Sequence, residues 1–143
     1  MLGFNYKKAV QALNFFAVKE DGIIDKMKSM KLIWLSDRAH LRKYGRPILM
    51  DRYIAMRYGP VPSKTKDLSE CDNVFLDENE RPYRDKYLKI LHENHNIESI
   101  HKPETKVFSE TDIQIMGKVY SKFGKDEQFK LSEISHFYPE WKR

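Results

Sequence analysis

Five histidines and one cysteine are the residues of this chain whose types most readily carry chemistry. His92 and His95 are close enough in sequence to share a metal ion, but they fall in a predicted hairpin turn with no cysteine nearby. Cys71 lies between Glu70 and Asp72, whose negative charges disfavour the reactive thiolate. The chain has no Walker loop, GxGxxG, HExxH or GxSxG motif. We therefore expect no catalytic residue, no cofactor and no metal site, and hence no enzyme.

A basic and aromatic segment gives binding more support than catalysis. Residues 1–72 hold 14 Lys and Arg against 8 Asp and Glu, a balance of +6 within a total of +5. Such a positive half can meet nucleic acid or an acidic protein surface. The cations and tyrosines alternate in residues 42–58, as they do on many nucleic-acid-binding faces. They are Arg42, Lys43, Tyr44, Arg46, Arg52, Tyr53, Arg57 and Tyr58.

The composition predicts one folded domain spanning residues 1–143. Hydrophobic residues at 41%, charged residues at 33% and aromatics at 13% are a globular balance rather than a disordered one. A chain of 143 residues buries enough apolar surface to fold without disulfides, and a single cysteine allows none internally. The first residues lack a signal-peptide core, and no stretch approaches the length of a membrane span. We expect a cytoplasmic protein without membrane contact.

Two long helices are predicted in the first third of the chain. One covers residues 6–19, with Asn5 as its N-cap and Gly22 as its stop. The second covers about residues 25–44, with Gly45 as a left-handed stop. Its predicted apolar stripe is Met27, Met30, Trp34, Leu41 and Tyr44.

Asp37 lies on that same stripe, so we expect its carboxylate to be buried. A buried carboxylate needs a cation or several hydrogen-bond donors. We expect these from Arg46, from Arg57 or from the backbone around Gly59. A structural role is therefore favoured over a contact role for Asp37.

Shorter elements are predicted after residue 45. Residues 53–57 are expected to be extended, residues 59–62 to form a Gly-Pro turn, and a short helix to follow as far as residue 68 or 71. Residues 72–85 are typical of a polar surface loop. Residues 87–91 and 97–100 predict a β-hairpin.

A third long helix is predicted to begin at Ser109, where Asp112 completes a capping box. Its apolar stripe is Ile113, Met116, Tyr120 and Phe123, and Gly124 is its stop. A last short helix is predicted to hold Leu131, Ile134 and His136. The sum is a mainly α (α+β) fold, a compact helical domain with a small antiparallel β element.

Several blocks of this sequence form a pattern that extends over most of its length. The first block is residues 30–47, from Met30-Lys31-Leu32 to Gly45-Arg46-Pro47, and the second is residues 51–62, which ends in Gly59-Pro60-Val61-Pro62. Three further blocks follow them: Phe108-Ser109-Glu110, Leu131-Ser132-Glu133-Ile134-Ser135-His136 and Pro139-Glu140-Trp141. In this order the blocks resemble the Panacea domain, the SocA-like antitoxin family of bacterial and phage toxin–antitoxin pairs.

The resemblance implies an antitoxin that neutralises a cognate protein toxin by direct contact. Some members of the family act instead as adaptors that deliver the toxin to a protease. The alternative is a nucleic-acid-binding accessory or regulatory protein that uses residues 42–58. The candidate partner-binding or motif residues are Asp37, Arg38, Arg46, Asp51, Tyr53, Arg57, Tyr58, Gly59, Pro60, Pro62, His136 and Trp141.

Structural roles compete with binding roles for these residues. We favour backbone roles for Gly59 and the two prolines after it, and packing roles for His136 and Trp141. The chain stops two residues after Trp141, where relatives are expected to run on. It carries no appended helix-turn-helix, which argues against operator binding.

Overall fold

Five helices and two antiparallel sheets make up the part of the chain that the computed structural model describes, residues 4–57, 59–70 and 76–125. The helices are α1 (Tyr6–Lys19), α2 (Lys26–Tyr44), α3 (Ser63–Glu70), α4 (Glu80–Tyr87) and α5 (Glu110–Phe123). The strands are β1 (Ile23–Asp25), β2 (Tyr53–Met56), β3 (Gly59–Pro62), β4 (Leu88–Leu91) and β5 (Asn96–Ser99). The predicted mainly α (α+β) class with a small antiparallel element is confirmed.

Helix α1 forms as predicted, with its N-terminus capped and its C-terminus closed by glycine. The Asn5 side chain accepts a hydrogen bond from the N–H of Lys8 at 3.2 Å. At the other end Gly22 adopts φ +110° and donates to the carbonyl of Ala17 at 2.8 Å. Few side chains other than glycine tolerate that backbone conformation, which explains why the helix stops here.

Helix α2 is the central element and contacts α1, α5 and β3. Asp25 caps it through the N–H of Lys28 at 2.9 Å. Gly45 ends it at φ +81°, as predicted. The predicted apolar stripe is wrong at its C-terminal end, because Leu41 is 49% exposed and Tyr44 41% exposed. Every residue of α2 from 29 to 37 is buried, so the middle of the helix is enclosed on all sides. In the last two turns His40 is buried, whereas Leu41 and Tyr44 are not.

The first sheet pairs β2 with β3, and Ile54 lies opposite Val61. The extended backbone predicted at residues 53–57 is confirmed for β2. The turn predicted at residues 59–62 is wrong, because these residues form the buried strand β3. Two prolines are tolerated there because a strand in a two-stranded sheet has a neighbour on one side only, so not every N–H is needed for pairing.

The second sheet has the strand order β1-β5-β4. The predicted hairpin is confirmed, with Ile90 opposite Ile97 and a short 3₁₀ turn between the strands. Strand β1 was not predicted. Its three residues give no period-2 pattern that sequence analysis can detect.

Part of the predicted polar loop is helical. Helix α4 begins at Glu80, and its Arg84 is buried and donates to the carbonyl of Leu68 at 3.0 Å. Pro82 is compatible with this helix because it lies in the first turn, where the missing N–H has no intrahelical partner. Five of the eight residues of α4 are charged, and the single pair Tyr83 and Tyr87 is too short a pattern to predict a helix.

Helix α5 begins at the predicted capping box, in which Ser109 and Asp112 bond each other's backbone N–H. Of the predicted stripe, Met116 is buried, whereas Ile113, Tyr120 and Phe123 lie at the margin of the core. The buried face is Asp112, Ile115, Met116 and Val119. The helix predicted to hold Leu131, Ile134 and His136 lies outside the described residues, as does Cys71.

A lysine lies inside this core. Lys31 on α2 is 1% exposed, and its Nζ donates to the carbonyl of Pro60 in β3 at 3.1 Å. Burial lowers the pKa of Lys31 from 10.5 to about 8. The folded protein therefore disfavours the ammonium form relative to the unfolded chain.

We expect Lys31→Met to stabilise the protein at pH 7. A pKa lowered from 10.5 to about 8 corresponds to at most roughly 3 kcal/mol, less about 1 kcal/mol for the lost hydrogen bond. Between pH 8 and 10.5 the unfolded chain holds a proton that the folded protein has lost, so wild-type stability rises with pH there. Urea denaturation of wild type and Lys31→Met at pH 7, 9 and 10 measures both effects. If the free energy of unfolding changed with pH in the same way in both proteins, the lowered pKa could not belong to Lys31.

Candidate functional site

Asp37 is the centre of the motif region, and its carboxylate is 4% exposed. Oδ1 accepts hydrogen bonds from the backbone N–H groups of Ile48 at 2.7 Å and Leu49 at 3.1 Å. Oδ2 accepts one from the Tyr53 hydroxyl at 2.6 Å. Burial raises the pKa of Asp37, while these three hydrogen bonds act in the opposite direction. The predicted burial is confirmed.

The partners expected for Asp37 are only partly those found. Several donors do satisfy the carboxylate, but they are neutral groups of residues 48–53 rather than a guanidinium. Arg46 is wrong as the partner, because it bonds Asp112 instead. The backbone that serves Asp37 is that of Ile48 and Leu49, not that around Gly59. A carboxylate held by peptide N–H groups fixes the path of a loop more tightly than an ion pair with a long side chain does.

Asp51, which follows the residues bound by Asp37, also accepts hydrogen bonds from backbone N–H groups. Its Oδ2 accepts from the N–H and the hydroxyl of Thr65 at 2.8 and 2.7 Å, and its Oδ1 accepts from the N–H of Lys64 at 3.1 Å. These contacts cap the N-terminus of α3. Asp51 and Asp37 together fix both ends of the segment between α2 and β2. We call residues 48–51 the pinned loop.

Asp112 is the second buried carboxylate, and unlike Asp37 it is surrounded by cations. Lys8 donates to Oδ2 at 3.1 Å, and Arg46 donates to Oδ1 at 3.1 Å. The N–H of Ser109 adds a bond at 2.9 Å. Burial raises the pKa of Asp112, but the Ser109 hydrogen bond and the Lys8 ammonium outweigh it, so the pKa lies below its usual value. This cluster joins α1, α2 and α5.

His40 and Thr111 form the arrangement closest to a nucleophile and base among the described residues. Nε2 of His40 lies 2.8 Å from the Thr111 hydroxyl, and Nδ1 lies 2.7 Å from the carbonyl of Arg46. Since a carbonyl only accepts, Nδ1 carries the proton. The Asp112 carboxylate lies 3.2 Å from Nε2, on the nitrogen that faces the hydroxyl. A catalytic triad requires the acid on the opposite nitrogen, and this ring is fully buried, so we assign the contact to structure.

The remaining predicted site residues have structural or peripheral positions. Gly59 adopts φ +117° at the start of β3, which confirms its backbone role. Pro60 and Pro62 are buried in the same strand. Arg38 lies on the side of α2 that faces α5, and Arg57 follows β2. Tyr58, His136 and Trp141 lie outside the described residues.

Three members of the basic and aromatic segment contact other residues of the protein, although Tyr44 and the Arg46 side chain stay about two-fifths exposed. Tyr53 binds Asp37, Arg46 binds Asp112, and the Tyr44 ring lies 4.8 Å from the ring of His40. Within residues 4–57, 59–70 and 76–125, no group of three His, Cys, Asp or Glu side chains is placed to hold a metal ion. No helix in those ranges is long and apolar enough to cross a membrane.

Sequence reasoning identified Asp37, Asp51 and Tyr53 but missed the cluster around Asp112. The capping box marked Asp112 as a backbone ligand, and no local pattern linked it to residues more than sixty positions away. Such a cluster becomes visible only after the helices are packed.

Comparison with known families identifies a related family. A model of the family described as antitoxin SocA-like, Panacea domain, matches residues 30–142. The match covers well over half of the 143 residues and includes Asp37, Asp51 and Asp112. Neither a curated protein nor a solved structure gave a match.

Asp37→Ala is expected to destabilise the protein by about 2–5 kcal/mol, because it leaves three donors of the pinned loop and β2 without an acceptor. Tyr53→Phe is the matched control: it removes one of these bonds, and about 1–2 kcal/mol is expected from its loss. Chemical denaturation followed by circular dichroism measures both. An Asp37→Ala protein that unfolds at the wild-type urea concentration would show that these bonds contribute little.

Proposed function

The chain belongs to the SocA-like antitoxin family with the Panacea domain, and on that premise we propose that it neutralises a cognate protein toxin by direct contact. The observation that carries the proposal is the family match over residues 30–142. The motif blocks at residues 30–47 and 51–62 fall inside that span.

The internal bonding of the motif residues supports a binding function. Occlusion of a toxin's site needs a surface that does not rearrange. The carboxylates of Asp37, Asp51 and Asp112 together hold α1, α2, α3, α5 and the pinned loop in place. A standard interface buries about 800 Å² on each partner. That is about a tenth of the 8396 Å² of accessible surface of this chain.

We propose that neutralisation involves no catalysis by this chain. The pair closest to a catalytic one, Thr111 and His40, is occupied by helix capping and by a backbone carbonyl. A hydrolase also needs its base within reach of substrate, and the His40 ring is fully buried. The toxin is therefore blocked rather than modified.

Binding of nucleic acid through residues 42–58 is the alternative. Its support is weakened by the internal contacts of Arg46 and Tyr53, whose side chains are bound by Asp112 and Asp37. The cations Arg42, Lys43, Arg52 and Arg57 are exposed on this segment. The two functions differ in their salt dependence. When a protein contacts Z phosphates of duplex DNA, the logarithm of its binding constant falls with the logarithm of the salt concentration, with a slope of about −0.9Z.

We expect the protein to rescue growth of cells that express the gene adjacent to its own, and to co-purify with that gene's product at 0.5 M salt. Interfaces with a desolvated core persist under these conditions, whereas phosphate contacts weaken. The amount of toxin in rescued cells separates sequestration, which leaves it unchanged, from delivery to a protease, which depletes it. Failure to rescue, together with sub-micromolar binding to duplex DNA or tRNA that is lost with salt, would favour the alternative.

A further inference from the structure

Strands β2 and β3 are fixed at the end where they join the rest of the chain. The N–H of Ser63 donates to the carbonyl of Arg52 at 2.8 Å, next to the Tyr53 hydroxyl that binds Asp37. Just before these residues, Asp51 accepts hydrogen bonds from the first turn of α3. We call β2 and β3 together the flap, and this fixed end its base.

The register of the flap decides which backbone groups face α2. Hydrogen-bonded positions alternate along an antiparallel pair of strands. Because the Ser63 N–H bonds β2 at Arg52, the next residue of the second strand that bonds β2 is Val61. Pro60 lies at the position between bonds, so its carbonyl points away from β2. That carbonyl accepts from Nζ of Lys31 on α2 at 3.1 Å.

The two strands of the flap differ in exposure. Ile54, Ala55 and Met56 of β2 are exposed, whereas all four residues of β3 are buried against α2. Val61 is part of the hydrophobic core. A two-stranded sheet is at best marginally stable by itself in water. The closed position of the flap therefore depends on the packing of β3 on α2.

Lys31 is a buried cation beneath the flap, and β3 offers it a carbonyl rather than an acid. The acids on the elements around it are bound by other groups. Asp25 bonds the N-terminus of α2, Asp37 the pinned loop, Asp51 the N-terminus of α3, and Asp112 the cations Lys8 and Arg46. Burial lowers the pKa of Lys31 to about 8, and no charged side chain of the described residues contributes to this shift.

We infer that the flap is a conformational device that opens away from α2 about its fixed base, and that a proton on Lys31 favours the open form. In the closed form the ammonium has lost its water, whereas in the open form it is hydrated again. The neutral amine donates the same hydrogen bond to Pro60 without this cost of desolvation. Loss of the proton therefore favours the closed flap, and this holds whether or not the proposed function is correct.

The sign of the pH dependence follows from the two environments of Lys31. Its pKa is about 8 beneath the closed flap and 10.5 when it is exposed, so the closed form loses the proton first as pH rises. Below pH 8 both forms hold the proton, and opening is most favourable there. At pH 9 the opening constant is expected to be about a tenth of its value at pH 7.

Native-state hydrogen exchange of the full chain measures this opening at single amides, after correction for the intrinsic exchange rate at each pH. Amides of Ile54 and Val61 report on the flap, and those of Leu32 and Ile33 in the buried middle of α2 report on unfolding of the whole domain. Lys31→Met is the matched variant, because it keeps the length of the side chain and removes the titrating group. Other groups near the flap titrate alike in both proteins, so their contribution cancels.

In wild type the flap amides are expected to exchange through a smaller opening free energy than the α2 amides. Their opening constant is expected to fall about tenfold from pH 7 to pH 9. In Lys31→Met the same amides are expected to change less than about twofold, because no amine is left to titrate.

Two results in wild type alone would overturn the inference. Equal opening free energies at the flap and in α2 would show that the flap opens only when the domain unfolds. A flap whose opening constant is the same at pH 7 and pH 9 would show that it does not respond to a proton. A tenfold change that persists in Lys31→Met would overturn it as well, because the proton would then belong to another group.

Discussion

A carboxylate inside a protein has to be surrounded by donors, and at Asp37 those donors come from the loop that follows its own helix. The Ile48 and Leu49 N–H groups and the Tyr53 hydroxyl all point at one side chain of α2. This sets where β2 begins, and β2 in turn sets β3, whose Pro60 carbonyl accepts from Lys31. Asp51 then accepts a hydrogen bond from the N-terminus of α3, which fixes the position of that helix. The positions of the pinned loop, β2, β3 and α3 therefore depend on the placement of Asp37.

Asp37 and Asp112 both need donors that replace the water lost on burial of a carboxylate, and these donors differ in kind. Asp37 relies on neutral donors that are close in sequence, and Asp112 relies on Lys8 and Arg46, which come from distant parts of the chain. The neutral N–H and O–H donors at Asp37 impose direction, because hydrogen bonds favour a linear arrangement, whereas the Lys8 ammonium and the Arg46 guanidinium at Asp112 also supply positive charge. The first acid accordingly shapes a loop, and the second holds helices together.

The sequence predicted those features whose causes are local. The ends of α1 and α2 and the start of α5 followed from Asn5, Gly45 and the Ser109 capping box, because a cap depends on a few neighbouring residues. The burial of Asp37 followed from its position on a helical stripe. Its donors did not, because they depend on where the chain turns after Gly45. The three-residue strand β1 and the polar helix α4 have no periodic signal and are fixed by tertiary packing.

The cluster around Asp112 could not have been derived from the sequence for a related reason. Lys8 and Arg46 are 104 and 66 residues from Asp112 along the chain, and only the packed fold brings the three side chains together. Two of the residues that suggested a binding face at residues 42–58 are bound by buried carboxylates, Tyr53 by Asp37 and Arg46 by Asp112. Residue type alone does not separate such internal contacts from a binding face.

The sequence separations of these bonds also bear on the order in which the chain assembles. The bonds of Asp37 close loops of 11 to 16 residues, and those of Asp51 to Thr65 close loops of 14. Lys8 and Asp112 are 104 residues apart. Because the entropy lost on closing a loop grows with its length, we expect residues 26–70 to form their contacts before α1 meets α5. The bond between Lys8 and Asp112 would then stabilise a unit that has already formed.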